Sequence, residues 1–82
     1  MSKNANKNRY NVQVIDRVAA IMNALVQAPE GLSADELSLC TGLHQSTVYR
    51  LLMNLQEWGF VERNDLMNYK LGLFCVQLGG AA

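Results

Sequence analysis

From Val12 to Ala28 the apolar residues Ile15, Val18, Met22, Leu25 and Val26 return at helical intervals. That spacing keeps them on one side of a 3.6-residue turn, so the first predicted element is an amphipathic helix. Pro29 and Gly31 stop it. A second helix opens at "SADE", residues 33–36. Ser33 can cap the backbone N–H of Glu36 while the Glu36 carboxylate reaches back, the reciprocal arrangement of a capping box. Gly42 ends this helix. A third runs from about His44 to Trp58 and is closed by Gly59. Beyond it the period changes: "FVER" and "NYKL" read as two short strands around the turn "NDLM". Alternation along "NYKL" sends Tyr69 and Leu71 toward the core and Asn68 and Lys70 outward. The tail "GLFCVQL" is helical again, and "GGAA" breaks it off. Leu73, Phe74, Val76 and Leu78 make this last helix apolar nearly all round. A chain-end helix of that kind wants a partner. Together with the edge of the first helix, at Val14 and Ile21, it predicts a contact between copies of the chain.

The second and third helices are separated by about three residues centred on Gly42, so they must cross steeply. Three requirements follow, and the chain meets each. Ser38 is the small residue where the helices touch, and Gly42 tolerates the positive φ of the turn. Val48, Leu51, Leu52 and Leu55 form an apolar stripe that locks the third helix down, with Leu37, Cys40 and Leu43 facing it. Ser38, Gly42, Val48 and Leu51 together fit the spacing of a helix-turn-helix. With the hairpin behind it as a wing, the expected fold is a mainly α domain with a small β-hairpin, a winged helix-turn-helix.

With the apolar stripe turned inward, 100° per residue places Ser46, Tyr49, Arg50 and Met53 on the outer face of the third helix. Gln45 and Thr47 lie at its N-terminal end. Amide and hydroxyl groups can exchange hydrogen bonds with base edges, and a guanidinium suits guanine or phosphate. A helix N-terminus adds free N–H groups and a favourable dipole toward phosphate. Arg63 and Lys70 flank the wing tip on opposite strands, where the two cations would straddle a phosphate backbone, with Asp65 opposing them at the tip. Arg17 on the first helix is open to two readings, a solvated helix residue or a phosphate contact.

Eighty-two residues make one domain with one core, too small for a substrate pocket with its catalytic scaffold. No apolar run is long enough to span a membrane, and the polar start "MSKNANKNRYN" has no secretory apolar region. The domain is therefore expected over 12–71, after a flexible basic arm at 1–11 and before the start of a linker helix at 72–82. Net charge is zero, yet Lys3, Lys7 and Arg9 all precede the first acid, Asp16. Few cations remain for phosphate, so a two-copy assembly on a two-fold site is expected, which doubles the contacts.

Cys40 and Cys75 stand alone, 35 positions apart, and read as two buried thiols of a reducing cytoplasm. His44 has no partner ligands and reads as a cap or turn residue. No metal, cofactor or enzyme is expected, since no third group orients a Cys/His pair. Met22, Met53 and Met67 are fillers or surface residues, and Trp58 is expected in the core beside Gly59. The competing reading of the whole is a winged helix used for protein contact without DNA, which predicts an apolar or acidic outer face on the third helix.

The run "GLSADELSLCTGLHQSTVYRLLMNLQEWGFVER", followed by "YKLG" and a later "LG", resembles the N-terminal domain of the IclR family of bacterial transcriptional regulators. The likeness extends from about Val14 to Gly79. It implies a winged helix-turn-helix that binds double-stranded operator DNA as a homodimer or homotetramer, with Gln45, Ser46, Thr47, Tyr49 and Arg50 on the recognition helix. Members of that family usually carry a second, effector-binding domain of GAF-like fold, and this chain stops before it. An isolated DNA-binding domain or a truncated relative is therefore expected, with any small-molecule effector acting only through the missing domain. Two further departures are local. His44 stands where proline or serine is common, and the wing tip "NDLMN" lacks the glycine often found there.

Overall fold

The computed structural model describes residues 12–82, so the basic arm expected at 1–11 lies outside the described part of the chain. The elements run α1 (Gln13–Val26), α2 (Ala34–Thr41), α3 (Gln45–Glu57), β1 (Val61–Arg63), β2 (Tyr69–Leu71) and α4 (Leu73–Ala81). One core joins them: Ile21 and Leu25 from α1, Leu37 from α2, Val48, Leu52 and Leu55 from α3, Val61 from β1 and Tyr69 from β2. Val18, Met22, Leu43, Leu51, Phe60 and Leu71 pack around it half-buried. No polar or charged residue is buried among those described, so burial of apolar surface is what holds the helices together.

On α1 the inward stripe is narrower and slightly rotated from the expected one. Ile15 and Val26 are exposed, and Ile21 is wholly buried. The core touches the middle of α1, where Val18, Ile21, Met22 and Leu25 face α2 and the hairpin. Ile21 is thus unavailable for contact with another copy. The helix ends at Val26, with Gln27 as its C-cap, before Pro29 is reached.

The start of α2 carries the predicted capping box. Ser33 Oγ accepts from the Glu36 N–H at 3.1 Å, and Glu36 Oε1 accepts from the Ser33 N–H at 2.8 Å. Two of the helix's otherwise unpaired donors are satisfied in this way. Just before this cap, Leu32 exchanges two backbone hydrogen bonds with Tyr69, at 2.8 and 2.7 Å. The hairpin therefore has a one-residue third strand that hydrophobic periodicity does not reveal, because a single bridge has no period.

The end of α3 explains Trp58. The Phe60 N–H donates to Leu55 O at 2.9 Å and the Gly59 N–H to Gln56 O at 3.1 Å, the paired bonds of a Schellman motif. That turn brings Phe60 back over Leu55 and into the core's outer layer. Trp58, as the C-cap, is left 72% exposed rather than buried as the sequence predicts. Phe60 in turn meets Phe74 edge-on, with ring centroids 5.0 Å apart, which docks the start of α4. The close approach of Gly72 to Gly59 leaves no room for a side chain: a Cβ there would overlap the Gly59 carbonyl. Helix α4 continues through Gly79 and Gly80 to Ala81, so "GGAA" does not break it off. Phe74 and Cys75 lie toward the body, and Leu73 and Val76 are exposed.

Candidate nucleic-acid interface

The connection between α2 and α3 is Gly42, Leu43 and His44, and side chains brace it from both ends. Gly42 takes φ +75°, where an L side chain would be strained. Ser38 Oγ donates to Leu43 O at 2.6 Å, so the small residue at the crossing also anchors the turn. Thr41 Oγ1 donates to Leu37 O at 2.7 Å and accepts from the Leu43 N–H at 3.2 Å. His44 is the N-cap of α3, its Nδ1 accepting from the Ser46 N–H at 3.4 Å. This side-chain cap gives α3 a defined start.

Two opposed faces follow on α3. Val48 and Leu52 are fully buried and Leu55 nearly so, whereas Ser46, Tyr49, Arg50 and Met53 are exposed. Gln45 is exposed at the first position of the helix, and Thr47 is half-buried at the edge of the stripe. The structure therefore brings five of the candidate residues, Gln45, Ser46, Thr47, Tyr49 and Arg50, onto one helix end and face. Gln45 is not free, however. Its Nε2 donates to Asp35 Oδ1, 2.6 Å away in the first turn of α2. Asp35 lies ten residues upstream, and nothing in the sequence pattern marks it as part of this surface. Cys40 points outward, not at α3, because the inward positions of this short helix are taken by Leu37 and the half-buried Ser38 and Thr41. Cys75 is half-buried, with its Sγ donating to Phe60 O at 3.2 Å.

The hairpin places its two cations differently from expectation. In its antiparallel register Arg63 pairs with Tyr69 and Glu62 with Lys70. Directly opposed residues share a face and neighbours alternate, so Arg63 and Lys70 lie on opposite faces of the ribbon. Arg63 lies over the Tyr69 ring, 5.6 Å from its centroid, and its Nη2 approaches the Met67 sulfur at 2.9 Å. Lys70 has Glu62 directly across from it. The tip itself carries no cation: Asp65, Leu66 and Met67 are its exposed residues. Its turn is made without glycine. Met67 takes φ +66°, while Asn64 Oδ1 accepts from the N–H groups of Leu66 and Asn68 at 2.9 and 3.1 Å. Arg17 is half-buried on α1, outside this helix face.

A braced helix-turn-helix whose second helix has one buried and one hydrogen-bonding face, followed by a hairpin, defines a winged helix-turn-helix DNA-binding domain. Residues 14–65 match the IclR helix-turn-helix domain, and the chain belongs to that family. It is 33% identical over 70 residues to a glycerol operon regulatory protein of Streptomyces coelicolor, a match covering 84% of this chain and 28% of that one. The crystal structure of an IclR family transcriptional regulator from Brucella abortus superposes with a TM-score of 0.80 at 26% identity, covering 92% of this chain and 29% of that one. The chain thus spans under a third of the length of these relatives. A crystal structure of an O-methyltransferase from neocarzinostatin biosynthesis also shares the fold, with a TM-score of 0.60 at 29% identity over 76% of this chain and 21% of that one. The winged helix alone therefore does not separate regulators from that enzyme, whereas the family match does place the chain among regulators.

Proposed function

We propose that this domain binds double-stranded operator DNA in the cytoplasm, as a homodimer or homotetramer, with the outer face of α3 in the major groove and the hairpin along the backbone. The observation that carries this reading is the division of α3 into a buried apolar stripe and an exposed face bearing Ser46, Tyr49 and Arg50. Gln45, Ser46, Thr47, Tyr49 and Arg50 are assigned to the groove, and Arg63, Lys70 and Arg17 to phosphates. Phosphate contacts fix register, and base-edge contacts carry sequence discrimination. The domain acts without a cofactor and catalyses no reaction. A small-molecule effector reaches it only through a separate domain.

Charge supports both the arm and the oligomer in this scheme. Residues 12–82 hold four Lys or Arg side chains against seven Asp or Glu, while the arm adds Lys3, Lys7 and Arg9. A single body of that balance is poorly attracted to a polyanion, and two copies with their arms gather more phosphate contacts. Val14, Leu73 and Val76 are exposed apolar residues that a second copy would cover. Among the described residues no helix is long and apolar enough to cross a membrane. The test is a gel shift over several salt concentrations with a fragment holding the promoter of the protein's own gene. A shift that outlasts that of a scrambled fragment as salt rises supports the proposal, and equal retention of both fragments, or none, contradicts it.

A further inference from the structure

The Asp35–Gln45 hydrogen bond links a residue outside the reading face to one at its mouth. Gln45 begins α3, and Asp35 sits in the first turn of α2. Their side chains are both exposed and meet at 2.6 Å. An ionised carboxylate only accepts hydrogen bonds, so it must meet the nitrogen of the glutamine amide and not its oxygen. The amide is thereby fixed in one of its two flips. Its oxygen, Oε1, is then the end of the amide that Asp35 does not hold.

Base edges in the major groove divide by the same donor and acceptor rule. Adenine and cytosine offer an exocyclic amine, N6 and N4, whereas guanine and thymine offer the keto acceptors O6 and O4. A glutamine free to flip can present its nitrogen or its oxygen and so meets either class. A glutamine that gives one Nε2 hydrogen to a carboxylate keeps its oxygen, which accepts from a base amine. It has a single N–H left with which to meet a keto base, so the balance moves toward the amine. We propose that Asp35 is a positioning residue for sequence recognition: by holding Gln45 Nε2 it makes Gln45 select an amino base, adenine or cytosine, at one position of the DNA site. This rests on α3 being the groove helix.

Asp35 has a second effect that must be separated from this one. Its carboxylate near the DNA-facing end of α3 opposes phosphate, so removing it raises affinity for every duplex alike. The informative quantity is therefore preference at single base pairs, not affinity. Duplexes selected from a random pool by the wild-type protein define the site. Each of its base pairs is then replaced in turn, and affinity is measured at constant salt for wild type, Asp35→Ala, Asp35→Asn, Gln45→Ala, the double variant Asp35→Ala/Gln45→Ala and Arg50→Ala, with thermal unfolding of each as a check on folding.

The expected result is a preference for adenine or cytosine over guanine and thymine at one position, by about threefold to tenfold, the range of one net hydrogen bond. Asp35→Ala and Gln45→Ala should each flatten that position and no other, and the double variant should add nothing further there. Asp35→Asn removes the charge but can turn either its oxygen or its nitrogen to Gln45, so it should weaken the preference at that position as Asp35→Ala does. A preference that survives both Asp35→Ala and Gln45→Ala, or a keto base selected at the Gln45-dependent position, overturns the inference. If Asp35→Ala leaves intact a preference that Gln45→Ala abolishes, Asp35 has no positioning role although α3 still reads the groove. If Gln45→Ala and Arg50→Ala both leave every position unchanged, the groove assignment of α3 fails with it.

Discussion

Val48 and Met67 mark the two ways one residue can decide this fold. Val48 is fully buried in the stripe that holds α3 to the body. An aspartate there would carry an unpaired charge into an apolar core, at a cost of several kcal/mol against a total stability of roughly 5–15 kcal/mol for a domain of this kind. Val48→Asp should therefore abolish cooperative thermal unfolding followed by circular dichroism; a normal melt would mean that the stripe is not what holds α3. Met67 makes the wing turn at φ +66°, a conformation costing an L residue about 1–2 kcal/mol, part of which glycine returns as lost chain freedom. Met67→Gly should raise stability by about 0.5–1 kcal/mol, read as a higher urea midpoint at unchanged slope. A lower midpoint would show that the Met67 sulfur contact with Arg63 outweighs the strain. At this scale the sequence is legible where a residue's position in a helical period decides its side, as for Val48, Leu52 and Leu55. It is not legible for Trp58 and Phe60, two aromatics competing for one place beside Leu55. The C-terminal turn of α3 decides between them, and hydrophobicity favours neither.

Among the elements, α3 and the capping box of α2 follow directly from spacing, because both are local: hydrogen bonds or side chains three and four residues apart. The hairpin does not. Its strands are readable, but the register that opposes Arg63 to Tyr69 is set by the five-residue tip, and the Leu32 bridge comes from a segment far away in the chain. The expected pair of cations astride a phosphate thus becomes one cation per face, with Asp65 at the tip between them. Asp65→Lys replaces the tip's negative charge with a positive one, and each phosphate neutralised contributes roughly 0.9 to the slope of log affinity against log salt. The variant should bind operator and scrambled duplex alike more tightly and steepen both slopes by about one to two per subunit, with little change in base discrimination. Titrations of both duplexes over several salt concentrations measure it, and unchanged slopes would place the tip away from the DNA.

For the whole molecule, the question is what covers α4. Phe74 and Cys75 tie it to the body through Phe60, so cutting the chain after Leu71 would disturb folding and assembly together. Leu73 and Val76 are the separable part, exposed by 66% and 69%. Leu73→Ser with Val76→Ser should shift the sedimentation behaviour from oligomer to monomer while leaving the melt of the domain within a few degrees of wild type. An oligomer that persists would move the self-contact elsewhere. The central claim is that the outer face of α3 reads DNA, and Arg50, the only Lys or Arg in that helix, tests it most directly. The measurement is the ratio of affinities for a selected duplex and its scrambled counterpart, at fixed salt, for wild type and Arg50→Ala. The account predicts a loss of about 1–3 kcal/mol on the selected duplex, a smaller loss on the scrambled one, and relaxed preference at the contacted base pair. A folded Arg50→Ala protein with both affinities and the base preference unchanged would contradict it.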